Sequence, residues 1–272
     1  MATFVLISGA WHAGWCWEYV APLLTARGHR AIAPDLPGTG ADDTEPQDVT
    51  RAGWARFVGD LIISQPEPVI LVGHSRGGLT IGDAAGPVAD RIACMVYLSA
   101  MVTAPNVPFE RVAAMMMEHD GEKMRIEPAV GGTAFHLAKA QIGTLFYNCT
   151  PSDRVTRAAG ALRAEPVGGS FGEAMPSRAI LAIPKVYIEC LRDLAVPITV
   201  QRRLQALTRF DEVMRIDTDH SPFYSAPEEL ADCLDRVASN YFPRAPQPNM
   251  EGSHEEAARP YNPRRHDRRR DR

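Results

Sequence analysis

Residues 73–77, Gly73-His74-Ser75-Arg76-Gly77, place one serine between glycines at the end of an apolar run, "VILVG", and the start of a helical pattern. A strand that bends sharply into a helix holds such a serine in a strained turn and presents its hydroxyl at a helix N-terminus. Glycines flank it because a Cβ there would strike the neighbouring strand or helix. A serine hydroxyl becomes a nucleophile only when a base takes its proton and a carboxylate holds that base in the correct tautomer. Turns of this kind take their partners in the chain order serine, acid, histidine. His220, in "DTDHSPF", is the one late histidine before the C-terminal stretch, so it is the candidate base. For the acid, "YIECLRDLAVP" offers Glu189 inside a strand and Asp193 in the loop beyond it. Asp193 is the choice because side chains converge at strand C-termini; Glu189 is the backup. Asp219 adjoins His220 too closely along the chain for the usual carboxylate–imidazole geometry and reads as a turn residue.

An oxyanion formed at Ser75 needs two backbone donors. One is the N–H of Arg76; the other is the N–H of Ala10 in "ISGAWH", where Gly9 lets the first loop approach closely. A substrate pocket is expected from Gly9, Trp11, His12, Met101, Phe135 and Phe146. His74 reads as a support within the turn. The Arg76 guanidinium, placed beside the turn, must find a carboxylate or water. The methionines 115–117 and Phe109 fit ordinary packing better than a binding surface.

These residues require a sheet to position them. "TFVLIS" (3–8), "HRAIAP" (29–34), "PVILVG" (68–73), "IACMVYLSA" (92–100), "KVYIEC" (185–190) and "EVMRID" (212–217) read as strands. Helical patterns alternate with them, including "WEYVAPLLTARG" closed by Gly28, residues 53–65, residues 77–88 and "PEELADCLDRVASNYF". Strand–helix alternation implies a mostly parallel sheet covered on both faces. Between about 101 and 183 the rhythm gives way to helical pieces with few strand signals, expected to form a mainly helical cap over the strands' C-terminal edge, where parallel sheets bind ligands.

A chain of 272 residues, 45% hydrophobic, has ample material for one domain over residues 1–243. No run reaches the roughly 18 apolar residues of a membrane span, and the N-terminus lacks a signal-peptide pattern; a cytoplasmic protein is expected. Five scattered cysteines without C-x-x-C spacing indicate neither a disulfide framework nor a metal site. After Phe242 come eight arginines and five acidic residues, with many prolines. That composition predicts a disordered tail over 244–272, with no nucleic-acid partner expected.

Together "FVLISGAWHAGWCWEYVAPLLTARGHRAIAPDLPGTG", "GHSRGG", "YIECLRDLAVP" and "DHSPFYSAPEEL" resemble the α/β-hydrolase branch that contains plant methylesterases, salicylate-binding esterases, hydroxynitrile lyases and bacterial relatives. The likeness spans about residues 3–242. It implies an α/β-hydrolase fold, Ser75, Asp193 and His220 as a triad, Ala10 and Arg76 as oxyanion donors, a small-molecule substrate and no cofactor. The lyases of this branch resemble one another in a threonine where this chain has Gly9 and a lysine where it has Ser221, so the likeness leans to ester hydrolysis. Methyl esters, aryl esters and aryl methyl carbamates such as benzimidazole carbamates are the substrate classes implied; a hydroxynitrile lyase and a non-catalytic ligand-binding scaffold are the alternatives. Ser8 departs from the branch's usual histidine and Arg76 from its usual apolar residue.

Overall fold

The computed structural model describes residues 1–171 and 176–242. The expected tail at 244–272 lies outside the described residues. Six strands, β1 (Thr3–Ile7), β2 (Arg30–Ile32), β3 (Val69–His74), β4 (Ile92–Leu98), β8 (Lys185–Cys190) and β9 (Glu212–Ile216), form one all-parallel sheet in the order β2-β1-β3-β4-β8-β9. Successive residues alternate between the two faces. Phe4, Leu6, Ile70, Val72 and Val96 pack with Trp17, Phe223 and Leu234 on one side. Val5, Ile7, Leu71, Met95 and Tyr97 pack with Trp54, Val58 and Ile81 on the other. Continuous apolar runs are what a strand buried on both faces demands.

Helices α1 (Val20–Ala26), α2 (Arg51–Ile63), α3 (Gly77–Ala85), α7 (Ile198–Gln205), α8 (Pro222–Ser225) and α9 (Pro227–Tyr241) flank the sheet. Thr50 caps α2 by accepting from the Gly53 N–H. Just after α1, Gly28 takes φ +83°, the left-handed conformation that ends a helix and that glycine adopts without strain. The helix expected over 77–88 stops at Ala85. Pro87 cannot continue an α-helical ladder, and the chain tightens into a 3₁₀ turn over Gly86–Arg91.

The cap holds more than helices. Alongside α4 (Phe109–Met117), α5 (Ser152–Ala161) and α6 (Val167–Phe171), it contains an antiparallel sheet of β5 (Ile126–Ala129), β6 (Ala134–Leu137) and β7 (Glu165–Pro166). These strands are two to four residues long, too short to show alternation. The turn between β5 and β6 is legible in retrospect: Gly131 and Gly132 both take positive φ.

The strand order itself creates the site. From β1 the chain moves outward to β2, then returns to the other side of β1 as β3. At such a reversal the loops after β1 and β3 diverge and leave a crevice at the strand C-termini. The first carries Gly9–Trp11, the second Ser75. Among the described residues no helix is long and apolar enough to cross a membrane.

Candidate active site

Ser75 sits at φ +52°, a conformation that costs a non-glycine residue roughly 1–3 kcal/mol. The surroundings enforce it. The Ser75 N–H donates to the Leu98 carbonyl at 3.2 Å, and the Ser75 carbonyl accepts from Gly78 and Met101 N–H at 3.1 and 3.0 Å. A Cβ on Gly73 would lie 2.7 Å from the Gly77 carbonyl oxygen, and one on Gly77 would lie 2.7 Å from that of Ser8. The glycines thus allow the turn to close on itself and α3 to press against the end of β1.

Asp193 and His220 meet from two different loops. His220 Nδ1 lies 2.6 Å from Asp193 Oδ2. The carboxylate accepts, so Nδ1 carries the proton and Nε2 keeps its lone pair. Asp193 Oδ1 accepts from the Ala195 and Val196 N–H groups, both at 2.8 Å, and Oδ2 also accepts from the Ser99 hydroxyl. Every carboxylate lone-pair direction is therefore committed, and the group cannot turn. Ser99 is itself at φ +42°, at the C-terminal end of β4. Gln201 on α7 crosses the same loop, accepting from Cys190 N–H and donating to the Cys190 and Val196 carbonyls.

Glu189 is turned elsewhere. It accepts from Arg202, Gln205 and Arg215 at 2.9–3.3 Å. Burial works to raise its carboxyl, but those bonds prevail and hold it below the ordinary value. Asp219, fully buried, staples the His220 loop to the cap: it accepts from Cys149 N–H, Thr150 Oγ1, Ser221 N–H and Ser225 Oγ.

Two further histidines brace the site. His74 Nε2 lies 2.7 Å from the His220 carbonyl, which only accepts, so His74 donates through Nε2. His12, one of the expected pocket residues, is buried. Its Nδ1 donates to the Ala10 carbonyl at 2.8 Å, and its Nε2 accepts from the Tyr147 hydroxyl at 2.6 Å. Burial pushes the His12 ring down to about 4, against the Ala10 bond, which favours the charged form. Burial and the neighbouring His220 hold His74 well below its ordinary value.

A pH dependence follows. In the unfolded chain both rings gain a proton near their ordinary value of 6.5, but the folded chain keeps His12 neutral down to about 4 and holds His74 well below its ordinary value. Unfolded chains bind more protons in that window, so stability falls as pH falls through it. Asp83, raised to about 6 by burial despite Arg51, works the other way below that pH. Two histidines outweigh one aspartate, and the folding constant should drop by about tenfold per pH unit between about pH 6 and pH 4. Urea midpoints at about pH 7 and about pH 5 check this; equal midpoints contradict it.

Of the other expected pocket residues, Gly9 lies over Ser75. A Cβ there would stand 2.8 Å from Ser75 Cβ and 2.9 Å from His74 Nδ1. Gly9→Ala must displace the first loop, and turnover should fall by about a hundredfold or more, as when one oxyanion donor is lost, with the fold retained. Unchanged turnover of that variant would show the loop to be uninvolved. Phe146 packs on His220 with ring centroids 5.0 Å apart, and Trp11 contacts both Phe146 and Phe135. Met101 is partly exposed and its N–H bonds the Ser75 carbonyl. A cleft of about 600 Å³ opens on the cap between Trp11, Leu137, Lys139, Ile142, Leu162 and Arg163. Trp11 alone of the expected pocket residues reaches it, and Ser75 and His220 do not line it.

Arg76, the unusual residue in the turn, is buried and forms an ion pair with Glu165 of β7 at 2.9 Å. Its guanidinium also covers the Trp54 ring at 4.2 Å. The sequence required a partner for Arg76 but gave no sign of which. Ser99, Gln201, Tyr147 and Glu165 were likewise absent from the sequence-based site.

Known proteins resemble this chain over most of its length. A family model described as the alpha/beta hydrolase family matches residues 4–233. A pyrethroid hydrolase from Sphingobium wenxiniae is 32% identical, the match covering 85% of each chain. Methylesterase 9 of Arabidopsis thaliana is 29% identical over 89% of this chain and 100% of its own. Among solved structures, a methylesterase from Arabidopsis superposes with TM-score 0.76 at 26% identity, covering 88% of this chain and 100% of that one. A pyrethroid hydrolase from Sphingobium faniae superposes with TM-score 0.75 at 31% identity, covering 88% and 97%. With a parallel sheet, a strand–serine–helix turn and a match over residues 4–233, the chain belongs to the alpha/beta hydrolase family.

Proposed function

We propose that this protein is an ester hydrolase that works through a covalent acyl-enzyme on Ser75, with His220 as base and Asp193 as its orienting carboxylate. His220 Nε2 takes the Ser75 proton as Oγ attacks the ester carbonyl carbon. The carbonyl electrons move onto oxygen, and the Ala10 and Arg76 N–H groups receive that charge. Collapse expels the alcohol, which leaves with the proton held on His220. Water, deprotonated by the same ring, then attacks the acyl carbon; the acid departs and Ser75 is restored.

The observation that carries the reading is the 2.6 Å bond between His220 Nδ1 and an Asp193 carboxylate whose other contacts are all taken. That bond fixes the one tautomer able to act as a base, on a histidine whose carbonyl is tethered to His74, the residue preceding Ser75. The relatives named as a pyrethroid hydrolase and methylesterases agree with an ester substrate. The aromatic surroundings of His220, with Phe146 on its ring and Trp11 behind, favour a compact apolar or aryl group near the scissile bond. We place methyl and aryl esters first and aryl methyl carbamates after them.

The test is turnover of a panel of aryl acetates, aryl methyl esters, pyrethroid-type esters, methyl carbamates and mandelonitrile by the full chain. Ester turnover without cyanide release is expected. Cyanide release without ester turnover overturns the reading in favour of a lyase, and inertness toward the whole panel moves it to a ligand-binding scaffold.

A further inference from the structure

Arg76 and Glu165 are both buried, and replacing such a pair by apolar groups of equal volume often costs nothing in stability. The directions of their bonds suggest what the charges do. Arg76 Nη2 donates to the Gly9 carbonyl at 3.1 Å. That carbonyl and the Ala10 N–H belong to one planar trans peptide and point in opposite directions. Pinning the oxygen therefore fixes where the Ala10 N–H aims. Glu165 Oε2 accepts from the Trp11 N–H at 2.9 Å, while the carbonyl at the other end of that peptide, Ala10 O, accepts from His12 Nδ1. Both peptide planes around Ala10 are thus held by charged or buried partners.

The pair is itself held. Arg76 Nη1 donates to Thr80 Oγ1 at 3.0 Å, and Glu165 Oε1 lies 2.9 Å from Arg76 Nε in the ion pair and accepts from the Ser170 hydroxyl at 2.6 Å. Trp11 meets the cap twice more, donating through Nε1 to the Phe135 carbonyl and accepting from the Arg163 N–H. Its φ of +64° shows that the loop does not lie in its relaxed conformation.

We propose that the Arg76–Glu165 ion pair is the positioning device of the oxyanion hole: Arg76 supplies one donor from its backbone and aims the other with its side chain, and Glu165 ties that arrangement to the cap. The proposal rests on the serine-hydrolase reading above. A charged donor on the Gly9 carbonyl also polarises the peptide, making the Ala10 N–H a stronger donor to an oxyanion. Because an oxyanion exists only after attack, the pair acts on kcat and leaves ground-state binding alone.

The experiment compares wild type with Arg76→Met, Arg76→Lys, Glu165→Gln, the double variant Arg76→Met/Glu165→Gln, and Ser75→Ala. It reads kcat and KM on an ester that wild type turns over, the affinity of an aryl trifluoromethyl ketone, which adds to an active serine as an oxyanion, and the thermal midpoint. Each single variant at Arg76 or Glu165 should lose about a hundredfold in kcat with KM within about twofold, and trifluoromethyl ketone affinity should fall by the same factor. Lysine keeps the charge but cannot hold Gly9 and Glu165 together, so it should not rescue. The double variant removes both buried charges, so its midpoint should recover while its kcat stays low, which a merely structural pair would not do. If Arg76→Met or Glu165→Gln fails to fold, the double variant and Arg76→Lys decide. Folded variants with wild-type kcat and inhibitor affinity overturn the proposal, as does a kcat that recovers with the midpoint in the double variant. Turnover that survives Ser75→Ala overturns the serine reading instead, and this proposal with it.

Discussion

Replacing Ser75 by alanine should lower turnover by on the order of a millionfold, with a folded protein left behind. The reason lies in how the parts act together. In the proposed mechanism His220 and Asp193 have no proton to move without the hydroxyl, so removing it disables the whole constellation at once, and what remains over water comes from oxyanion stabilisation and binding. The fold should survive because the turn is held by backbone bonds from Ser75 to Leu98, Gly78 and Met101, none of which uses the side chain. Rates for wild type and Ser75→Ala on the same ester, with circular dichroism to confirm the fold, check this. Alanine-variant turnover within about tenfold of wild type would remove Ser75 from the reaction.

Asp193→Asn is expected to cost about ten-thousandfold in kcat while changing the fold little. Asp193 Oδ1 faces two N–H donors, those of Ala195 and Val196. An asparagine must therefore turn its carbonyl oxygen to them and its NH₂ toward His220 and Ser99. The Ser99 hydroxyl can reverse and accept. On the proposed mechanism His220 cannot adapt without harm, because Nδ1 would have to accept and the ring proton would move to Nε2, the position proposed to receive the Ser75 proton. The loss should appear in kcat, with KM nearly unchanged, and should shrink at high pH, where hydroxide can replace the general base. A variant with more than about a tenth of wild-type kcat near neutral pH would mean that Asp193 does not orient His220.

The glycine pattern and order of residues make much of this candidate site readable in the sequence. Gly73 and Gly77 announce a closed turn because no other residue fits against Gly77 and Ser8. Asp193 was separable from Glu189 by its place beyond a strand end, and Glu189 indeed faces Arg202 and Arg215. The supporting residues were not readable, for a physical reason: their partners are distant in the chain and carry no local periodicity. Ser99 lies 94 residues from Asp193, Tyr147 lies 135 from His12 and Glu165 lies 154 from Trp11, so only folding reveals each pair. Arg76 signalled a missing carboxylate without naming it. His12 packs among Trp15, Phe146 and Phe223, contacts that its aromatic-rich loop does not reveal in the sequence. The cap's small sheet escaped because strands of two to four residues are too short for their pattern to compete with the surrounding helices.

The central claim is that Ser75 is an activated nucleophile, and covalent capture tests it most directly. The full chain is incubated with a fluorophosphonate, and the adduct is located by mass spectrometry of peptides, with Ser75→Ala and Asp193→Asn treated alongside. A single adduct on Ser75, formed much more slowly in Asp193→Asn and absent from Ser75→Ala, is the result expected. Wild type that stays unlabelled, or labels at another residue at the rate of Ser75→Ala, would contradict the account.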